Sequence, residues 1–104
     1  NKEKNISYKA QLGRILAQMG NPQAQKLFHK ILTLRKNSVW LTYLATISLV
    51  YLEDVAGIDS FKKMIKDNDE NIIAIFLHDF SQVDNPTTRN LLAYIHENDK
   101  KIRA

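Results

Sequence analysis

Cysteine is absent from this 104-residue chain, which excludes a disulfide framework, a thiol nucleophile and a thiolate metal site. This absence fits a reducing compartment, and we expect a cytoplasmic protein. Two prolines and three glycines are too few for the turn-dense pattern of a β-sandwich or barrel. Because the runs between them have the length of helices, an all-α fold is predicted.

Patterns that carry chemistry are also missing. The glycines are isolated, so the sequence contains no phosphate-binding loop. The three histidines are widely separated in the sequence and lack the close spacing of zinc ligands. His78 and Asp79 are neighbours, but adjacent side chains on a helix point about 100° apart and no nucleophile can be placed beside them. We therefore predict a protein that is not an enzyme, with no catalytic, cofactor-binding or metal-binding residues.

Charge and hydropathy narrow the possible partners. Fifteen basic and eleven acidic residues give a net charge of +4, which permits attraction to acidic surfaces but lacks the clustering of a dedicated nucleic-acid binder. The most apolar stretch runs from Val39 to Leu52 and is too short for a bilayer span, which needs about 20 residues. It is predicted to be a helix buried on most sides, with no membrane insertion. The alternative is an exposed patch that binds a partner through Trp40 and Tyr43.

Apolar positions recur along the chain at a nearly constant interval of 30 to 33 residues, which we call the repeat step. One series that follows it is Ile6, Val39, Ile72 and Ile102, and a second is Phe28, Phe61 and Leu92. Turns are predicted at 19–22, 52–57 and 83–86, and the Asn-Pro pairs in two of them favour the end of one helix and the beginning of the next. The period predicts helix-turn-helix units over 5–37, 38–70 and 71–98, with the start of a fourth at 99–104.

Each unit holds two amphipathic segments. Six helices are expected, over 7–19, 22–34, 39–52, 58–65, 71–80 and 86–96. The predicted inward face of the first helix is Tyr8, Leu12, Ile15, Leu16 and Met19. Asn37 or Ser38 is placed to cap the third helix. We expect one domain that is a fragment of a longer repeat protein, because the last residues reproduce the beginning of a further unit.

The turns carry a family resemblance. The segment 16–24, Leu-Ala-Gln-Met-Gly-Asn-Pro-Gln-Ala, is similar to the turn of HEAT repeats in the short bacterial form found in phycobilisome lyase-like proteins. Asp84-Asn85-Pro86 matches this turn in part, and Asp99 to Ala104 matches the helix opening. The middle turn has no proline, and Ser7, Trp40 and Ile73 replace the arginine of that opening. The resemblance implies a right-handed α-solenoid of about three HEAT-like (armadillo-like) repeats plus the start of a fourth.

In such a solenoid the second helix of each unit lines the concave face, where partners bind. The resemblance therefore implies a non-catalytic scaffold or regulatory module for protein–protein interaction. Because lysines recur along this face, we expect a partner with an acidic surface. The candidate contact residues are Lys26, His29, Lys30, Lys62, Lys63, Lys66, Arg89 and Tyr94, with Trp40 on a first helix. Nucleic-acid binding through the same lysines is the alternative, and an enzyme such as a bilin lyase or DNA glycosylase is a third choice. Solvated lysines without a partner are also compatible with the pattern.

Overall fold

The chain forms six helices joined by short turns in its described parts. The computed structural model describes the backbone of residues 2–34, 38–66 and 70–103, and the side chains of residues 5–34, 38–66 and 71–97. The helices are α1 (Lys2–Gln18), α2 (Gln25–Thr33), α3 (Val39–Tyr51), α4 (Val55–Lys66), α5 (Glu70–Phe80) and α6 (Pro86–Arg103). These ranges contain no strand, so the all-α prediction is confirmed. The predicted connections at 35–37 and 67–69 lie outside the described residues.

The apolar helix α3 is the centre of the structure. It packs against α1, α2, α4 and α6, and Leu41 together with every residue from Tyr43 to Tyr51 is buried. Its N-cap is Ser38, whose Oγ accepts the amide hydrogen of Leu41 at 3.1 Å. The prediction of a helix buried on most sides is confirmed, because neighbours on several sides cover an apolar surface that has no polar face.

Aromatic rings join the later helices. The Phe61 ring of α4 lies 4.9 Å from Phe76 and 5.2 Å from Phe80 of α5, both in edge-on contacts. Tyr43 of α3 lies 5.3 Å from the same Phe76 ring. Edge-to-face pairs add to the energy of area burial, so this cluster ties α5 to the central helices.

The first two helix-turn-helix connections share one backbone conformation. In each connection, the second residue after the end of the first helix has a positive φ, Gly20 at 81° and Glu53 at 59°. In both turns the next amide donates to the carbonyl five residues back at 2.9 Å, which is the Schellman pattern. That next residue, Asn21 or Asp54, then accepts the amide hydrogen two residues on at 2.9 Å. In the third turn, Asn85 accepts an amide hydrogen three residues on at 2.8 Å.

The predicted inward face of α1 is wrong. Three small residues are buried instead: Ala10, Gly13 and Ala17. A Cβ on Gly13 would lie 2.7 Å from Phe28 Cζ and 2.8 Å from Ala24 Cβ. Helix α1 can therefore approach these two residues this closely only because its buried side is made of small residues. Four of the five predicted residues are exposed: Tyr8, Leu12, Ile15 and Met19. Leu16 is half-buried.

Several predicted helix limits also change. Helix α1 begins at Lys2 rather than Ser7, and α4 begins at Val55 rather than Ile58 because Asp54 caps it. The segment Pro22–Ala24 is a single turn of 3-10 helix. Helix α6 runs on to Arg103 instead of ending near residue 96, because residues 87–103 include no proline or glycine to stop it. Residues 99–103, predicted as the start of a further unit, therefore belong to α6.

Among the described helices, none is both long enough and apolar enough to cross a bilayer.

Candidate functional site

Two open grooves flank α4. The α2–α4 groove has a volume of about 500 Å³ and is lined by Leu32, Thr42, Ala56, Asp59, Ser60, Lys63 and Met64. The α4–α6 groove has a volume of about 250 Å³ and is lined by Ile58, Lys62, Thr87, Asn90, Leu91 and Tyr94. Helix α4 forms one wall of each groove. Its neighbouring lysines face different grooves, because Lys62 lines the α4–α6 groove and Lys63 lines the α2–α4 groove. Both grooves therefore lie beside α4, one towards α2 and one towards α6.

The α2–α4 groove combines a mainly apolar lining with one residue of each charge, Lys63 and Asp59. Leu32 and Met64 are half-buried and come from the two facing helices. Thr46 of α3 and Ser60 of α4 share a hydrogen bond of 2.6 Å, which holds the two helices in register beneath the groove. Lys63 is exposed in the last turn of α4, where the partial negative charge of a helix C-terminus favours a cation.

The α4–α6 groove brings two predicted site residues together. The ammonium nitrogen of Lys62 lies 5.2 Å from the centre of the Tyr94 ring, within the range of a cation–π contact. Tyr94 is half-buried, and its ring centre lies 6.1 Å from that of Phe61. The aromatic ring therefore packs against the interior through Phe61 and also lines the groove.

His29 belongs to a different cluster, at the junction of α2 and α4. Its Nε2 lies 2.7 Å from Oδ2 of Asp54, and Gln25 Nε2 donates to the same oxygen at 2.6 Å. Partial burial acts to raise the pKa of Asp54, but the hydrogen bonds from Ala56, Gln25 and His29, with the His29 charge, outweigh it and hold the pKa below its ordinary value. This cluster fixes the beginning of α4 against α2.

The remaining predicted residues are placed separately. Lys26, Lys30 and Lys66 are exposed on α2 and α4. Arg89 is engaged by Asp84, with Nη1 3.1 Å from Oδ1. Trp40 is half exposed and stacks on Tyr43 of its own helix, with ring centres 5.4 Å apart. The structure thus groups Lys62 with Tyr94 and places Lys63 on the neighbouring groove.

His78 and Asp79 have different surroundings. His78 is exposed, whereas Asp79 is buried and its Oδ2 has no hydrogen-bond partner. Burial raises the pKa of Asp79, and the charge of Arg14 acts in the opposite direction. Within the described part of the chain, no three histidine, aspartate or glutamate side chains come close enough together to hold a metal ion.

The sequence reasoning missed the groove linings and the cluster around Asp54. Leu32 and Met64 are apolar members of amphipathic stripes, so the pattern places them inward, and they end half-buried at the edge of the interior. Asp54 carries one signal: it follows Asn21 by one repeat step and repeats its capping role. Its contacts with Gln25 and His29 have no sequence signal.

No protein-family model, curated protein or solved structure matches this chain. The HEAT resemblance therefore rests on the turn and helix motifs alone.

Proposed function

We propose that this chain is a non-catalytic protein-binding module that receives an acidic segment of a partner protein along α2, α4 and α6. The observation that carries the proposal is the pair of grooves beside α4: the α2–α4 groove has a mainly apolar lining with Lys63 and Asp59, and the α4–α6 groove has a mixed lining with Lys62. Such a surface offers an apolar anchor site next to a charged one, a combination typical of protein interfaces.

The architecture that we propose is a right-handed α-solenoid of HEAT-like repeats. The shared backbone conformation of the first two turns, one repeat step apart, supports a translational repeat. The equivalent residues Phe28 and Phe61 are both fully buried, which also supports it, because stacked units bury equivalent positions in one continuous core. In that arrangement α2, α4 and α6 line the concave face.

Charge favours an acidic partner. Helices α2 and α4 carry five exposed lysines, Lys26, Lys30, Lys62, Lys63 and Lys66, against a single acidic residue, Asp59. A surface with an excess of positive charge steers an acidic segment towards it and favours one orientation of that segment. The apolar part of the α2–α4 groove would then hold one side chain of that segment. Its volume of about 500 Å³ falls in the range of ordinary ligand pockets.

Nucleic-acid binding is a second candidate, favoured by the contact between Lys62 and Tyr94. Single-stranded nucleic acid binds where cations follow the backbone and aromatic rings stack on bases. The two candidates differ in salt dependence, because each phosphate contact to a single strand contributes a slope of about −0.7 in a log–log plot of affinity against salt.

The test uses a short labelled peptide of glutamate and alanine with one central phenylalanine. A copy with alanine in place of phenylalanine and a short single-stranded DNA are the comparison probes. Binding is measured by fluorescence anisotropy at ionic strengths of roughly 0.01 and 0.15 M. We expect the phenylalanine peptide to bind more tightly than its alanine copy at both. Lys63→Glu should weaken it by about tenfold, equivalent to about 1.4 kcal/mol.

Lys9→Glu is the matched control, because Lys9 is also an exposed lysine and lies on α1, away from both grooves. It should change the peptide affinity much less than Lys63→Glu does. If the two substitutions weakened binding equally, the loss would follow from the net charge of the protein and not from a site beside Lys63. Tight binding of the DNA alone, with the steep salt slope, would favour the second candidate.

A further inference from the structure

Helix α1 is apolar on two opposite sides. Its buried side is made of small residues, Ala10, Gly13 and Ala17. Its other side is a stripe of large side chains, continued by Met19 directly after the helix, with exposed fractions of 65% for Tyr8, 47% for Leu12, 50% for Ile15 and 77% for Met19. We call these four residues the α1 stripe. A surface helix normally directs polar residues to water, so the α1 stripe has the composition of a face that another helix covers.

We propose that the α1 stripe is a self-association surface, on which a second copy of this chain packs with its own α1 antiparallel. The inference rests on the intervals between the stripe residues along the sequence. The stripe residues follow one another by four, three and four positions, which is symmetric about the point between residues 13 and 14. A two-fold axis at that point places Tyr8 of one copy against Met19 of the other, and Leu12 against Ile15. Two-fold interfaces require such self-complementarity, and a thioether against an aromatic ring is a favourable contact.

The charges beside the stripe allow this pairing. None of the four residues is charged, and the same axis places Lys9, on one flank, opposite Gln18 rather than another cation. The net charge of +4 on each copy opposes association at long range, and salt screens that repulsion. Self-association should therefore strengthen as salt is added. Binding of an acidic peptide to the grooves should weaken under the same change.

The apolar area that two copies can bury determines how strongly they associate. The four exposed side chains offer on the order of 400 Å² per copy, the size of the largest apolar patch on an ordinary monomer and one that is often functional. Two copies with the flanking Gln11 and Leu16 would bury on the order of 1,000 Å² in total, which is below the range of stable specific interfaces and within that of weak ones. The expected dimer is therefore weak and depends on concentration.

Sedimentation equilibrium from about 10 µM to about 1 mM tests the proposal, a range that brackets weak dissociation constants. The mass of the wild-type chain should rise from one copy towards two across this range. Leu12→Lys should remove the rise. The matched control is Leu77→Lys on α5, because Leu77 is a leucine of similar exposure, 42%, and lies outside the stripe. Wild-type chain that stays monomeric throughout, or a Leu77→Lys variant that also stays monomeric, would overturn the proposal.

Disulfide trapping tests the orientation without relying on a charged variant. The chain contains no cysteine of its own, so Tyr8→Cys and Met19→Cys each introduce the only thiol of their protein. In the antiparallel pair, the two copies of residue 8 are about 16 Å apart along the axis at about 1.5 Å per residue, too far for a disulfide. An oxidised mixture of the two variants should therefore form the mixed dimer, and each variant alone should not. Cross-linking of Tyr8→Cys alone as fast as the mixture would overturn the antiparallel pairing.

Discussion

Gly57 lies in the first turns of α4, where that helix packs closely against α3. A Cβ added there would lie 2.6 Å from Leu49 Cβ, 2.7 Å from the Val50 nitrogen and 2.8 Å from the Leu49 carbonyl carbon. Two of these three atoms belong to the α3 backbone, which cannot rotate away as a side-chain tip can. Gly57→Ala therefore forces α4 to move by about 1 Å to restore ordinary carbon–carbon contact.

Two effects of opposite sign decide the result. Alanine is favoured over glycine in a helix by about 1 kcal/mol. Against this, overpacking costs about 1–3 kcal/mol, and a gap of about 1 Å forfeits up to half of the contact energy around it. The buried residues Phe61 and Ile65 lie on the same helix and would lose part of their packing. Taking the upper cost because backbone atoms are involved, we expect Gly57→Ala to lower the free energy of unfolding by about 2 kcal/mol, which is about 10 °C in melting temperature.

The measurement is urea unfolding followed by circular dichroism and by the fluorescence of Trp40, the single tryptophan. Asp59→Ala is the control, because Asp59 is exposed on the same helix. Its removal should change the free energy of unfolding by no more than about 0.5 kcal/mol. A Gly57→Ala protein as stable as the control would show that α3 and α4 are farther apart than described, and the reasoning would fail.

The other predictions concern the core and the junction of α2 with α4. Phe28→Ala and Phe61→Ala should each lower the free energy of unfolding by about 3–5 kcal/mol, because both side chains are fully buried; a loss in urea unfolding far smaller than this would contradict their place in the core. Asp54→Asn should keep the helix cap, because asparagine caps in the same way at Asn21 and Asn85. It removes the charge next to His29, and we expect this loss to lower the free energy of unfolding by about 1 kcal/mol at neutral pH. Since the pKa of Asp54 is lowered by folding, its carboxylate stabilises the protein above about pH 5 and the difference from Asp54→Asn should disappear as acid protonates it. Unfolding curves that still differ by the same amount in acid would rule out this linkage.

Local signals in the sequence predicted the helices well. The turn residues Asn21 and Asn85 and the cap at Ser38 act through hydrogen bonds to amides two or three positions away, so their effect is visible without any knowledge of the fold. The apolar run of α3 likewise requires burial whatever covers it. The beginning of α4 was missed because Asp54, unlike Asn21, has no proline after it, although the repeat step connects the two residues.

The candidate site was predictable only in part. The positions of Lys62 and Lys63 on the outward side of α4 follow from its period, and both are exposed. The grooves on either side depend on the distance between facing helices, which no single segment encodes. The contact of Lys62 with Tyr94, which is distant in the sequence, likewise needs α4 and α6 to be neighbours.

Helix α1 separates what the sequence determined from what the tertiary structure decided. Its period by itself specified a helix with one stripe of large apolar residues, because backbone hydrogen bonding and side-chain spacing are local. Which side turns inward was decided by its neighbours: at Gly13 the Phe28 ring and Ala24 leave no room even for a Cβ, and the buried residues on the same side of the helix are the small Ala10 and Ala17. The rule that large apolar residues go inside failed here because close packing between helices rewards shape, and shape belongs to both partners of a contact.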